Sequence, residues 1–234
     1  MQVKDRMTCN PVTVGEDASF EDALHTMKEN NIRRLLVSSK EGHLVGIVAE
    51  EDLASAAPSR ATSLSVFEMH YLLLKLKVKE VMTRRVIAVG DDCPLEEAAR
   101  IMVENQIGSL PIVKEGKLVG IITETDIFKT FVEILGGREK VLRLTLDVTE
   151  GKGVLAAIAN EIVKNNGNIL SLATFFCKDD QERIITVKVT DAPKEPLLAG
   201  LEATGVRVLN AVDMTSGGYP PVIVDGKTRP FINV

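Results

Sequence analysis

One unit of sequence, written twice, restricts this chain's fold more than any other feature. VKDRMT at 3–8 returns as VKEVMT at 78–83, and VGED at 14–17 returns as VGDD at 89–92. MKENNIRRLLV at 27–37 matches MVENQIGSLPI at 102–112, and GHLVGIVAEED at 42–52 matches GKLVGIITETD at 116–126. The offset is about 75 residues, and roughly 20 of about 50 aligned positions are identical, far beyond chance. Each copy predicts the same elements. An extended stretch (11–14; 86–89) is followed by a helix with apolar residues three and four apart: Phe20, Ala23, Leu24, Met27, or Leu95, Ala98, Ala99, Met102. Two apolar strands (35–37 and 44–48; 110–113 and 118–122) follow, joined by a Glu-Gly turn, and a second helix is expected to begin at the closing Asp. A β-α-β-β-α unit of this length cannot bury its own apolar face, so the two copies are expected to pack together, with clefts between them.

Composition removes several classes of function. The 234 residues carry 28 Lys and Arg against 33 Asp and Glu, a net charge of -5. With no basic run to displace the counterions of a nucleic acid, such a partner is not expected. The greasiest stretch, 66–76, is broken by Glu68, His70 and Lys75 and falls well short of the roughly 20 apolar residues of a membrane span. The N-terminus lacks the apolar core of a signal peptide, so a cytoplasmic location and no membrane are expected. Cys9, Cys93 and Cys177 are scattered without a CxxC spacing and read as reduced thiols; no metal site is expected.

The repeat closely resembles the CBS domain, and GIITETD at 120–126 fits that family's G-hh-T-x-x-D phosphate–ribose motif. The chemistry suits those residue types. Gly120 would let backbone approach a ligand. Thr123 offers a hydroxyl near a helix N-terminus, where free N–H groups and the macrodipole favour phosphate. Asp126 can accept both hydrogen bonds of a ribose diol. The bland alternative is that Thr123 and Asp126 only cap the following helix. The first copy, GIVAEED at 46–52, keeps Asp52 but has Ala49 in place of the hydroxyl.

The resemblance therefore implies two inequivalent adenine-nucleotide sites, for AMP, ADP, ATP or a related adenosyl ligand. The stronger would use Thr83, Arg85, Ile87, Gly108, Ser109, Leu110, Pro111, Thr123 and Asp126. The weaker would use Thr8, Asn10, Val12, Arg33, Arg34, Leu36 and Asp52. The Arg33–Arg34 and Arg84–Arg85 pairs could bring positive charge to phosphates, or could simply be solvated surface.

After Leu135-Gly136-Gly137-Arg138 breaks the last helix of the repeat, the pattern becomes β-α-β-β-α-β, the ferredoxin-like order. With GVLAAIA and NGNIL after its first strand, this region resembles the ACT domain, in which small ligands, often amino acids, bind near a glycine-containing loop. Gly153 and Asn168 fall at the matching positions. Val148, Glu150 and Lys152 depart from the family's polar contacts, so a purely dimerising ACT domain is an equal expectation. Asn168 has a plain alternative as a turn residue after Asn166-Gly167.

The expected fold class is α+β: a first CBS domain at 1–57, a helical connector at 58–77, a second CBS domain at 78–137, an ACT domain at 138–214 and an extended tail at 215–234. In the connector, Ser65 and Glu68 fit a capping box. The whole order resembles the acetoin-utilisation accessory proteins (the AcuB type). That implies a non-catalytic sensor, homodimeric through its CBS and ACT domains, that passes nucleotide occupancy to a partner enzyme. A constitutive scaffold with vestigial sites is the second reading. An enzyme is the weakest, because His25, His43 and His70 are scattered and no nucleophile–base spacing or phosphate-binding glycine loop is present.

Overall fold

Strand β1 (Thr8–Cys9) belongs by sequence to the first copy of the repeat but pairs with the second, and this crossing organises the N-terminal part of the molecule. The first copy continues through β2 (Thr13–Gly15), α1 (Phe20–Glu29), β3 (Arg34–Ser38), β4 (Leu44–Ala49) and α2 (Glu50–Ala56). After a short helix α3 (Val78–Val81), the second copy repeats the order as β5 (Val89–Gly90), α4 (Leu95–Asn105), β6 (Ser109–Lys114), β7 (Lys117–Thr123) and α5 (Glu124–Ile134). The computed structural model describes residues 1–56, 68, 75–137, 140–148, 152–176 and 183–214, and divides into two compact units, Met1–Thr130 and Phe131–Val234. The capping box expected at Ser65, the C-terminal tail, Cys177 and His70 lie outside the described residues.

Local chemistry explains the element boundaries. Ser19 caps α1, its hydroxyl accepting the Asp22 N–H at 3.1 Å while the Asp22 carboxylate accepts the Ser19 N–H at 3.3 Å. Phe20, Ala23 and Met27 are then buried, as their spacing predicts. In the second copy Pro94 stands at the cap, where its missing N–H costs nothing, and Leu95, Ala98 and Met102 are buried. Glu115 and Gly116, both at positive φ (50° and 78°), form the two-residue turn between Lys114 and Lys117, a geometry that matches the twist of an antiparallel hairpin. The second helix of each copy starts two residues before the closing Asp. Asp52 and Asp126 therefore sit within the first turn of α2 and α5 and do not begin them.

The V-K-x-x-M-T segments are exchanged between copies. Val3 is fully buried in the core of the second copy, beside Leu110, Ile112 and Ile122. Val78 and Met82 are buried in the core of the first, with Leu35, Val37, Val48 and Leu53. Backbone bonds fix both exchanges: Val3 N–H to Cys93 O at 2.9 Å, Val78 N–H to Ala18 O at 3.0 Å, and Thr83 with Ile47 in both directions at 2.9 and 3.0 Å. β1 thus extends the sheet of the second copy to β1-β7-β6-β5, while the first copy keeps β2-β3-β4.

The exchange also explains two glycines. A Cβ on Gly120 would collide with the Met7 side chain, and one on Gly46 with that of Met82. The glycine of the G-hh motif thus admits the exchanged methionine, whereas the sequence suggested that it admits a ligand. Gly120→Ala is expected to lower stability by about 1–3 kcal/mol, the usual range for overpacking, in a urea titration; an unchanged midpoint would remove this role.

The second unit comprises β8 (Leu142–Val148), α6 (Val154–Lys164), β9 (Asn168–Phe176), β10 (Arg183–Thr190), α7 (Lys194–Ala203) and β11 (Arg207–Asp213). Its antiparallel sheet runs β11-β8-β10-β9, the strand order of a ferredoxin-like β-α-β-β-α-β domain. Leu144, Leu146, Val187 and Val189 alternate onto the face that packs against Ile158, Ile162, Leu197 and Leu201. On the other face Arg207 pairs with Asp147 across β11 and β8, its Nε 2.7 Å from the carboxylate. Lys188 is nearly buried there; burial first, and then Arg143 on the facing strand, pushes its ammonium below the usual lysine range.

Candidate functional site

The end of β7 and the first turn of α5 build the most specific local geometry. Asp126 Oδ2 accepts the Thr123 N–H at 2.9 Å and the Thr123 hydroxyl at 2.7 Å, and the Thr123 hydroxyl accepts the Asp126 N–H at 3.3 Å. This is a capping box, so Thr123 and Asp126 do cap the helix. All the carboxylate's bonds use Oδ2, and Oδ1 takes none of them. In the first copy Asp52 Oδ2 accepts the Ala49 N–H at 2.8 Å, and Ala49 has no hydroxyl to add.

Two clefts lie between the copies within the first unit. The larger, about 400 Å³, joins Thr123, Glu124, Thr125, Asp126 and Lys129 of the second copy to Thr8, Val12, Ile32, Arg33 and Arg34 of the first. The smaller, about 270 Å³, joins Ala49 and Asp52 of the first copy to Thr83, Arg85, Ile87 and Ser109 of the second. Arg34 and Gly108 line both. The larger cleft offers two carboxylates at a helix start (Glu124 and Asp126) and the smaller one (Asp52), each with cations and an apolar wall (Val12, Ile32 and Ile121 in the larger; Ile47, Val86 and Ile87 in the smaller). A flat apolar ring carrying a diol and an anion fits such a lining.

The structure regroups the residues singled out from sequence. Thr8, Val12, Arg33 and Arg34 come together with Thr123 and Asp126, while Thr83, Arg85, Ile87, Gly108 and Ser109 come together with Asp52. Leu36 and Leu110 are core residues at 1% and 0% exposure, Pro111 is buried in β6, and Asn10 is exposed at positive φ; none of the four lines either cleft. Sequence reasoning missed Lys129, Asn31 and Gln106. Lys129 had a usable signal, since it follows Asp126 by three residues and shares its helix face. Asn31 and Gln106 had none, because they reach the clefts only through tertiary packing.

In the second unit Gly153 caps α6 at φ 90° and lines a cavity of about 310 Å³ with Lys152, Val154, Ala157, Thr204 and Gly205. Asn168 is the exposed first residue of β9, opposite Thr190, and does not line that cavity. The structure does not bring the two ACT candidates together. Cys9 and Cys93 are free, and the Cys93 thiol is pushed up by burial and then by Glu97, Asp92 and Glu96. Among the described residues no group of His, Cys, Asp or Glu is placed to hold a metal, and no helix is long and apolar enough to cross a membrane.

Comparison with known proteins agrees with this architecture. The family model described as CBS domain matches residues 3–59 and 78–133. The protein MJ1426 of Methanocaldococcus jannaschii is 36% identical over 155 residues, spanning 56% of this chain and 92% of that protein. Two solved structures are similar over the same part. One is a Vibrio cholerae protein assigned to acetoin utilization (32% identity, TM-score 0.49, 58% of this chain and 93% of the other). The other is CBSX2 in complex with AMP (31% identity, TM-score 0.47, 57% and 97%). The chain belongs to the CBS-domain family and carries the domain in tandem. Such a pair is a regulatory module, not a catalytic one.

Proposed function

We propose that this protein is a non-catalytic sensor whose CBS pair binds an adenine nucleotide, AMP, ADP, ATP or a related adenosyl ligand. Its occupancy would pass to the ferredoxin-like unit or to a partner enzyme. The observation that carries this reading is the larger cleft, where Thr123 and Asp126 meet Arg33, Arg34 and Lys129 beside Val12, Ile32 and Ile121. The carboxylate suits a ribose diol, the cations a phosphate, and the branched aliphatic side chains a purine face. We place the CBS domains at 1–57 and 78–137 and read 138–214 as an ACT domain that holds two copies of the chain together in the cytoplasm. An amino acid is a secondary ligand class for the cavity at Gly153. Signalling requires the nucleotide to favour one arrangement of the repeats over another.

The capping role of Asp126 and the missing hydroxyl at Ala49 support a second reading, a constitutive scaffold with vestigial sites. A thermal-shift series with AMP, ADP, ATP and S-adenosyl-methionine separates the two. A ligand present at 100 times its Kd adds about 2.7 kcal/mol and raises Tm by several degrees. A Tm unmoved by every nucleotide would select the scaffold.

A further inference from the structure

The two clefts share one cation, and the balance of charge in each depends on it. Arg34, at the start of β3, lines the larger cleft and the smaller one. Its guanidinium lies over Gly108, so closely that a Cβ there would collide with it, and the Glu124 carboxylate stands beside the same point. Gly108 is thus the floor on which this side chain rests between the clefts.

Around the larger cleft the cations are Arg33, Arg34 and Lys129, and the carboxylates are Glu124 and Asp126. Around the smaller they are Arg34 and Arg85 against Asp52. Each lining has an excess of one positive charge, and in each case Arg34 supplies it. Removed from the count, it leaves either cleft neutral. A guanidinium binds an anion best through a planar two-pronged contact, and it cannot turn that fork toward both clefts at once.

We propose that Arg34 couples the two clefts negatively: a phosphate-bearing ligand in one draws the guanidinium toward itself and weakens binding of the second ligand. This inference rests on the nucleotide reading above and adds its regulation. The protein then answers over a wider range of nucleotide concentration than two independent sites would.

Calorimetric titration with AMP tests this on the full chain and on Asp126→Ala and Asp52→Ala, which disable the larger and the smaller cleft and leave Arg34 in place. The second step of the unmodified protein is expected to be roughly 5- to 150-fold weaker than binding to the same cleft when the other is disabled, the span of ordinary coupling energies. Arg34→Gln is expected to weaken binding to both clefts and to abolish the gap between the steps, each matching the single-cleft affinity measured in the same Arg34→Gln background. Two steps that match the single-cleft affinities would overturn the coupling and leave the nucleotide reading standing. A protein that binds no AMP, ATP or S-adenosyl-methionine at all would overturn both. Should Arg34→Gln fail to fold, the two aspartate variants decide the matter alone.

Discussion

Asp126→Ala is expected to weaken AMP binding at the larger cleft about 10- to 150-fold while lowering stability by only about 1 kcal/mol. The two effects come from different oxygens of one carboxylate. Oδ2 holds the Thr123 N–H and hydroxyl and closes the capping box of α5, a contact usually worth about 1 kcal/mol. Oδ1 takes no part in the cap and faces the task of accepting a hydroxyl from ligand, where a hydrogen bond to a charged group contributes about 1.5–3 kcal/mol. Calorimetry gives the first number and a urea melt the second. Equal AMP affinity in the variant, with only the small loss of stability, would reduce the motif to a helix cap. Thr123→Val should remove the hydroxyl's part of the cap and leave most of the binding.

The largest stability effect is expected from Met82→Ala, at about 2–5 kcal/mol, the range for truncating a buried methionine. Met82 is 7% exposed and packs with Phe20, Leu35, Val48 and Leu53, all in the first copy. Its location makes the prediction specific. Hydrogen exchange should accelerate first in β3 and β4, more than 30 residues earlier in sequence, and the β6–β7 hairpin should keep its protection longer. Met7→Ala should act in the opposite sense, on the second copy, because Met7 packs against that core over Gly120. Loosening confined to the copy that each methionine belongs to by sequence would contradict the exchange.

That exchange marks the boundary between what was readable and what was not. The repeat, its β-α-β-β-α order, the faces of α1 and α4 and the ferredoxin-like order of the second unit all follow from short-range signals. Apolar residues three or four apart, alternating strand residues, a Glu-Gly turn and a Pro or Ser before a helix each act within a few residues. The chemistry of the site residues was equally local: Thr123 and Asp126 stand out in GIITETD without any knowledge of their neighbours in space. Their grouping was not local. The sequence groups Arg33 and Arg34 with Asp52, yet of the two clefts Arg33 lines that of Asp126, and Arg34 lines both.

Residue pattern alone therefore specifies that one unit is used twice, which elements each copy forms and which residues carry polar chemistry at their helix starts. Which copy supplies which wall of each cleft emerges from long-range packing. The physical reason is that V-K-x-x-M-T has the same apolar pattern in both copies. Its burial is nearly as favourable in either core, and nothing in a string of residues states which core is nearer. The packed structure places Met82 in the first core over Gly46, Met7 against the second over Gly120, and Arg34 between the two clefts.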